Sequence, residues 1–140
     1  MIDPADGRIA FDDPPFSLSP ATTRTEFLAS AVGRSAEEFC RGAMDYMSYK
    51  VARASSSGKA FIVVAWFNGE RLYRVSLSWC NPQSGKSWAD WSEENERRSK
   101  AVHDEWLAAV LPGEADRPWG RVRSRCSERD SESRIDIEYG

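Results

Sequence analysis

The chain has 140 residues, 41% of them hydrophobic and 29% charged, with a formal net charge of −3. That length and balance suit one globular domain over 1–140 whose core needs no staples, and interleaved charges of net negative sign argue against a general nucleic-acid binder, which needs a basic face for phosphates. The longest apolar run, 60–67, is too short to span a membrane; residues 1–7 carry neither a basic segment nor an apolar run, so no secretory signal is expected. Three scattered cysteines, Cys40, Cys80 and Cys126, read as buried reduced thiols of a cytoplasmic protein and not as a disulfide framework or zinc site.

In chain order, 7–11 predicts a short strand, broken by Asp12-Asp13-Pro14-Pro15, and 16–19 a second strand. Thr23 followed by Glu26 fits a capping box opening a helix, with Phe27, Leu28 and Ala31 on one face. Gly33 is placed to end that helix in the left-handed conformation, and Ser35 with Glu38 reads as a second cap on a short helical turn. Residues 45–53 alternate, with Met47, Tyr49 and Val51 on one side, and 54–58 reads as a polar loop. The runs 60–67 and 70–79 flank Asn68-Gly69, a two-residue hairpin signal. With Asn68-Gly69 as the turn, Phe67 pairs with Glu70, and the expected core face carries Ile62, Val64, Trp66, Tyr73, Val75, Leu77 and Trp79.

Residues 88–111 predict the long helix, with Asp90, Glu93 and Glu94 early, where they complement the macrodipole. Its apolar stripe is Val102, Trp106, Ala109 and Val110, and Pro112-Gly113 stops it. The tail predicts a second hairpin. Val122 and Ile137 must face the core, so a four-residue loop over 128–131 sets Arg123 opposite Asp136 and Arg121 opposite Glu138. Strict alternation puts Trp119 on that charged face, unless a bulge at Gly120 turns it inward. The whole predicts an α+β domain: an antiparallel sheet built from hairpins, two main helices packed on one face, order β-β-α-β-β-β-α-β-β.

No pattern for catalysis stands out. The single histidine, His103, has its nearest acidic neighbour, Asp104, adjacent in sequence and so pointing elsewhere on the helix; it reads as structural or surface. Asp12-Asp13 lacks the ligand spacing of a calcium loop. ASSSGK (54–59) ends in Gly-Lys but precedes a strand and lacks the phosphate-loop spacing. No catalytic, cofactor or metal residues are therefore expected. Six tryptophans are the excess. Trp88 and Trp91, three apart before a highly charged helical stretch, either close the core edge or anchor a partner. Candidate partner-binding residues are Trp88, Trp91, Glu93, Glu94, Glu96 and Trp119.

The segments TRTEFLAS (23–30), WGRVRS (119–124) and IDIEY (135–139) resemble the layout of small cytoplasmic immunity proteins of bacterial polymorphic or contact-dependent toxin systems. The resemblance implies a non-enzymatic inhibitor that binds and masks one cognate toxin; Glu93, Glu94 and Glu96 would suit a basic toxin such as a nuclease. A second resemblance, of element order, is to secretion-effector chaperones of the type III kind, which run α-βββ-α-ββ-α. This chain departs from that order in its leading strands. An enzyme of unrecognised type is the third reading.

Overall fold

The computed structural model describes residues 2–43, 45–80, 93–113, 116–127 and 132–140. It is a mixed α+β fold. A hairpin of β1 (Ile9–Asp12) and β2 (Pro15–Leu18) precedes two short helices, α1 (Arg24–Ala29) and α2 (Ala31–Ser35). Four strands follow: β3 (Glu37–Arg41), β4 (Tyr46–Ser56), β5 (Lys59–Asn68) and β6 (Arg71–Trp79). Helix α3 (Glu93–Val110) leads to β7 (Asp116–Arg117), β8 (Gly120–Ser127) and β9 (Glu132–Tyr139). Among the described residues, seven strands pair antiparallel in the order β3-β4-β5-β6-β9-β8-β7.

The helices begin where capping chemistry allows. Thr23 Oγ1 accepts the Glu26 N–H and opens α1, as the Thr23/Glu26 spacing predicts. Ser30 then accepts the Gly33 N–H and opens α2. Gly33 therefore does not terminate a helix. It lies inside α2, where a Cβ would collide with the Phe27 carbonyl, so it is needed for close approach and not for a left-handed turn. The expected second cap at Ser35 and Glu38 is likewise replaced. Residues 37–41 form edge strand β3, whose partner β4 supplies hydrogen bonds that a local helical turn cannot match.

The β5–β6 hairpin corrects a register. Asn68 pairs with Arg71, so the turn residues are Gly69 and Glu70, one position later than the Asn-Gly signal implies. Gly69 carries φ +61°, as the first central position of a type II′ turn requires. A bulge at Tyr73 restores the phase beyond it. Shifting by one residue reverses the faces of β5. Phe61, Val63, Ala65 and Phe67 are the buried row, opposite Leu77, Val75 and Leu72. Ile62, Val64, Trp66 and Tyr73 lie on the other face, while Val75 and Leu77 face the core as expected.

The helices cover the Phe61 face. The Phe27 ring lies 5.7 Å from Phe67 and 5.9 Å from Tyr49; Trp106 of α3 lies 4.9 Å from Phe61, edge to face. Burying each such side chain contributes about 1.5–3 kcal/mol. The residues expected as a polar loop over 54–58 are mostly β4, with only Ser57-Gly58 in the turn. Ala54 and Ser56 are fully buried. Burial is tolerated because Ser56 Oγ donates to the Ala10 carbonyl and its own carbonyl accepts the Trp106 indole N–H at 3.1 Å. The cysteines also differ from expectation: Cys40 and Cys126 are exposed and Cys80 is half-buried, because Cys40 lies on edge strand β3 and Cys126 one residue from the end of β8.

The C-terminal hairpin has the expected register: Arg121 opposite Glu138, Val122 opposite Ile137, Arg123 opposite Asp136. Its loop, 128–131, lies outside the described residues.

Candidate partner-binding surface

The face of the sheet opposite the helices is built by register. One row across β4, β5, β6, β9 and β8 reads Ser48, Trp66, Arg74, Glu138, Arg121; the next reads Lys50, Val64, Ser76, Asp136, Arg123. Side chains in these rows are cross-strand neighbours and interact directly. The Arg74 guanidinium sits 4.2 Å from the centre of the Trp66 ring. The Trp66 indole N–H donates to Ser76 Oγ, which donates to Asp136 Oδ1 at 2.9 Å. The Asp136 side chain is fully buried, and Arg134 and Arg125 supply its ion pairs at 3.1 and 3.7 Å. Glu138 takes Arg121 at 2.8 Å and Arg125 at 3.4 Å. Partial burial alone would raise the Glu138 pKa; the Arg121 hydrogen bond and the charges of Arg121, Arg125 and Arg74 outweigh it and hold the carboxyl below its ordinary value.

Aromatic residues gather at the β3 end of the same face. Phe39 is 53% exposed and Tyr46 41% exposed, large values for such side chains. Phe39 packs edge-on to Trp66 at 5.9 Å, and Tyr46 edge-on to Tyr73 at 5.7 Å. Tyr46, Met47, Trp66 and Tyr73, with Cys40 and Gly42, line a shallow groove of about 190 Å³. Sequence reasoning missed this cluster for two reasons. Phe39 fell in a presumed helical turn, and Trp66 was assigned to the core by the one-residue register error.

Of the residues expected to bind a partner, the described ones are not brought together: Trp119 stands by Tyr139 and the N-terminal segment, away from Glu94 and Glu96 on α3. Trp88 and Trp91 lie outside the described residues. Glu93 is the first residue of α3, Glu94 is exposed and Glu96 half-exposed, and this stretch of helix also exposes Arg97 and Arg98, so it carries both signs of charge. Trp119 lies neither on the charged face nor free in solvent. It precedes β8, half-buried, with its indole N–H donated to the Pro4 carbonyl at 2.9 Å and its ring 6.0 Å from Tyr139. Gly120, at φ +151°, lets the chain turn there against the Glu138 carbonyl. Trp119 thus fastens the N-terminal segment, together with Tyr139, whose hydroxyl donates to the Gly7 carbonyl.

His103 is fully buried at the centre of the docked face of α3. Its Nε2 accepts the Trp79 backbone N–H at 2.9 Å, so the ring proton sits on Nδ1 and is directed to Ser133 Oγ at 3.1 Å. Burial pushes its pKa down to about 4. With both nitrogens committed, this imidazole serves as a structural tie and has no lone pair to offer a substrate. Among the described residues, no three His, Cys, Asp or Glu side chains come together as a metal-binding group. No described helix is long and apolar enough to cross a membrane. No family model matches the chain, no curated protein matches it in sequence, and no solved structure matches its fold.

Proposed function

We propose that this chain is a non-enzymatic protein-binding module, and specifically a cytoplasmic immunity protein that binds and neutralises a cognate bacterial toxin by masking it, without metal or cofactor. The observation that carries the reading is the exposed pair Phe39 and Tyr46, backed by Trp66 and Tyr73 on a sheet face that the described helices leave open. Exposed aromatic side chains held rigid by their neighbours are the usual anchors of protein interfaces. The commitment of His103 to backbone and serine supports the non-enzymatic half of the reading.

The test is retention of a partner from native host lysate on the tagged chain, followed by co-expression of that partner with and without the chain. A stoichiometric partner whose toxicity the chain suppresses supports the reading, and Phe39→Ala with Tyr46→Ala then abolishes suppression while leaving the fold intact. Toxicity unaffected by the chain overturns it.

The second reading is an effector chaperone. It draws on element order: a helical segment, consecutive antiparallel strands, α3, then the β8–β9 hairpin. The described chain has β3 and β7 in addition and places the β1–β2 hairpin before α1. A dimer in light scattering that grips an unfolded effector segment, with no suppression of toxicity, selects this reading over the first.

A further inference from the structure

We propose that the partner is acidic and docks on the arginine-rich half of the sheet face that the described helices leave uncovered, its carboxylates taken by Arg123, Arg121 and Arg74 and its apolar side chains set against Phe39 and Tyr46. This deepens the protein-binding reading and rests on it.

The argument is one of charge and its placement. Among the described side chains of β6, β9 and β8, this face carries five arginines, Arg74, Arg121, Arg123, Arg125 and Arg134, against two carboxylates, Asp136 and Glu138. The whole chain is negative, at −3, so the surplus of positive charge is local. The pairing on the face is uneven. Asp136 and Glu138 are shared among Arg121, Arg125 and Arg134, whereas Arg123, directly opposite Asp136 in the register, is exposed and has no partner among the described residues. The Nε of Arg74 is buried and without a hydrogen-bond partner. Its guanidinium is held 4.2 Å from the centre of the Trp66 ring, which fixes its plane. With Nε buried, a docking carboxylate would meet the terminal nitrogens of this guanidinium, whose plane is already fixed.

The face continues without a break from this region to the aromatic groove, through Trp66, Ser76 and Asp136. An occupant would therefore combine acidic and apolar side chains. A protein fits better than a nucleic acid. The aromatic rings are packed edge to face against one another and do not form a platform on which bases stack. On α3, the described Glu94 and Glu96 stand beside Arg97 and Arg98, two of each sign, and supply no comparable local surplus of charge.

The test is selection of random peptides displayed on phage against the full-length chain. Enriched peptides are then synthesised, labelled and titrated by fluorescence anisotropy, with a labelled single-stranded oligonucleotide titrated in parallel. The expected result is enrichment of Asp- and Glu-rich sequences with a neighbouring aromatic or aliphatic residue. Their affinity should fall about tenfold or more in Arg123→Glu, and in Phe39→Ala, and weaken with salt. Unchanged urea midpoints for both variants show that the fold is retained. Enriched peptides with no acidic excess, no enriched peptide at all, or equal binding to wild type and Arg123→Glu overturns the proposal. Tighter binding of the oligonucleotide that is lost in Arg123→Glu also overturns it and assigns the face to nucleic acid. The two readings fail separately. Toxin suppression that survives Arg123→Glu rejects the acidic docking face but keeps the immunity function, whereas acidic-peptide binding without any toxin suppression does the reverse.

Discussion

The Nε2 of His103 accepts the backbone N–H of Trp79 at 2.9 Å, tying the middle of α3 to the end of β6. The bond holds only while the ring is neutral, because a protonated imidazole has no acceptor. The folded pKa is depressed from 6.5 to about 4 by burial. Between these values the unfolded chain takes up a proton that the native chain refuses, so the contribution is intact above about 6.5 and is lost as pH falls toward 4. Lowering the pH from about 7 to about 5 should therefore cost about 2 kcal/mol of stability through this residue. Urea midpoints of wild type and His103→Gln check it: the wild type should lose stability over this range and the variant much less. Parallel curves for the two proteins would rule out His103 as the source.

Asp136 and Arg123 face one another in the register but play different parts. Asp136 is buried and holds Ser76, Arg134 and Arg125. Replacing it by leucine strands charged and polar groups and should cost about 3–5 kcal/mol. Arg123→Glu, at an exposed position with no partner among the described residues, should change stability by less than about 0.5 kcal/mol. Chemical denaturation of the two variants measures both. Comparable losses would mean that Arg123 is structural.

Gly33 and Gly58 separate two uses of glycine. A Cβ at Gly33 meets the Phe27 carbonyl and the Leu28 Cα, whereas at Gly58 it meets open space but at φ +83°. Gly58→Ala should cost about 1 kcal/mol from backbone strain. Gly33→Ala should cost several times more, about 3 kcal/mol or loss of folding, because α2 must move away from α1. Thermal melts rank the pair, and a Gly33→Ala melt close to wild type would remove the packing argument.

Trp119→Phe keeps a ring but removes the hydrogen bond to Pro4. The N-terminal segment, closed by Gly7 N–H to the Asp3 carbonyl and Asp3 N–H to the Arg8 carbonyl, should open locally without global unfolding. Amide hydrogen exchange should quicken at Asp3 and Gly7 while the unfolding free energy from urea titration falls by no more than about 1.5 kcal/mol. Unchanged exchange at those two amides would show that Tyr139 alone is sufficient to hold the segment.

Much of the fold is legible where one face of an element is decisively apolar. In the C-terminal hairpin, Val122 and Ile137 alternate with charges on both strands, so a slip of one residue would bury arginine and aspartate rows, and only one register survives. The same logic gives β4 its inward Tyr49 and Val51 and α3 its Trp106. It fails on β5, where Ile62, Val64 and Trp66 alternate with Phe61, Val63 and Phe67. Either set can be a core row, and the turn chemistry tolerates both Asn68-Gly69 and Gly69-Glu70. The candidate site inherits that ambiguity. Trp66 leaves the core and Phe39 joins a strand only once the neighbours are known, while Trp88 and Trp91 lie outside the described residues.

Residue pattern and capping alone are enough for a mixed α+β fold of antiparallel strands, the start of α1 and the register of β8 on β9, because they are local and act within a few residues. The tertiary structure alone decided which face of β5 is inside, that 37–41 pairs as an edge strand, and that aromatic and arginine side chains from β3, β5, β6, β8 and β9 share one surface. Those outcomes depend on contacts between residues far apart in the chain, where burial against α1 and α3 outweighs local preference.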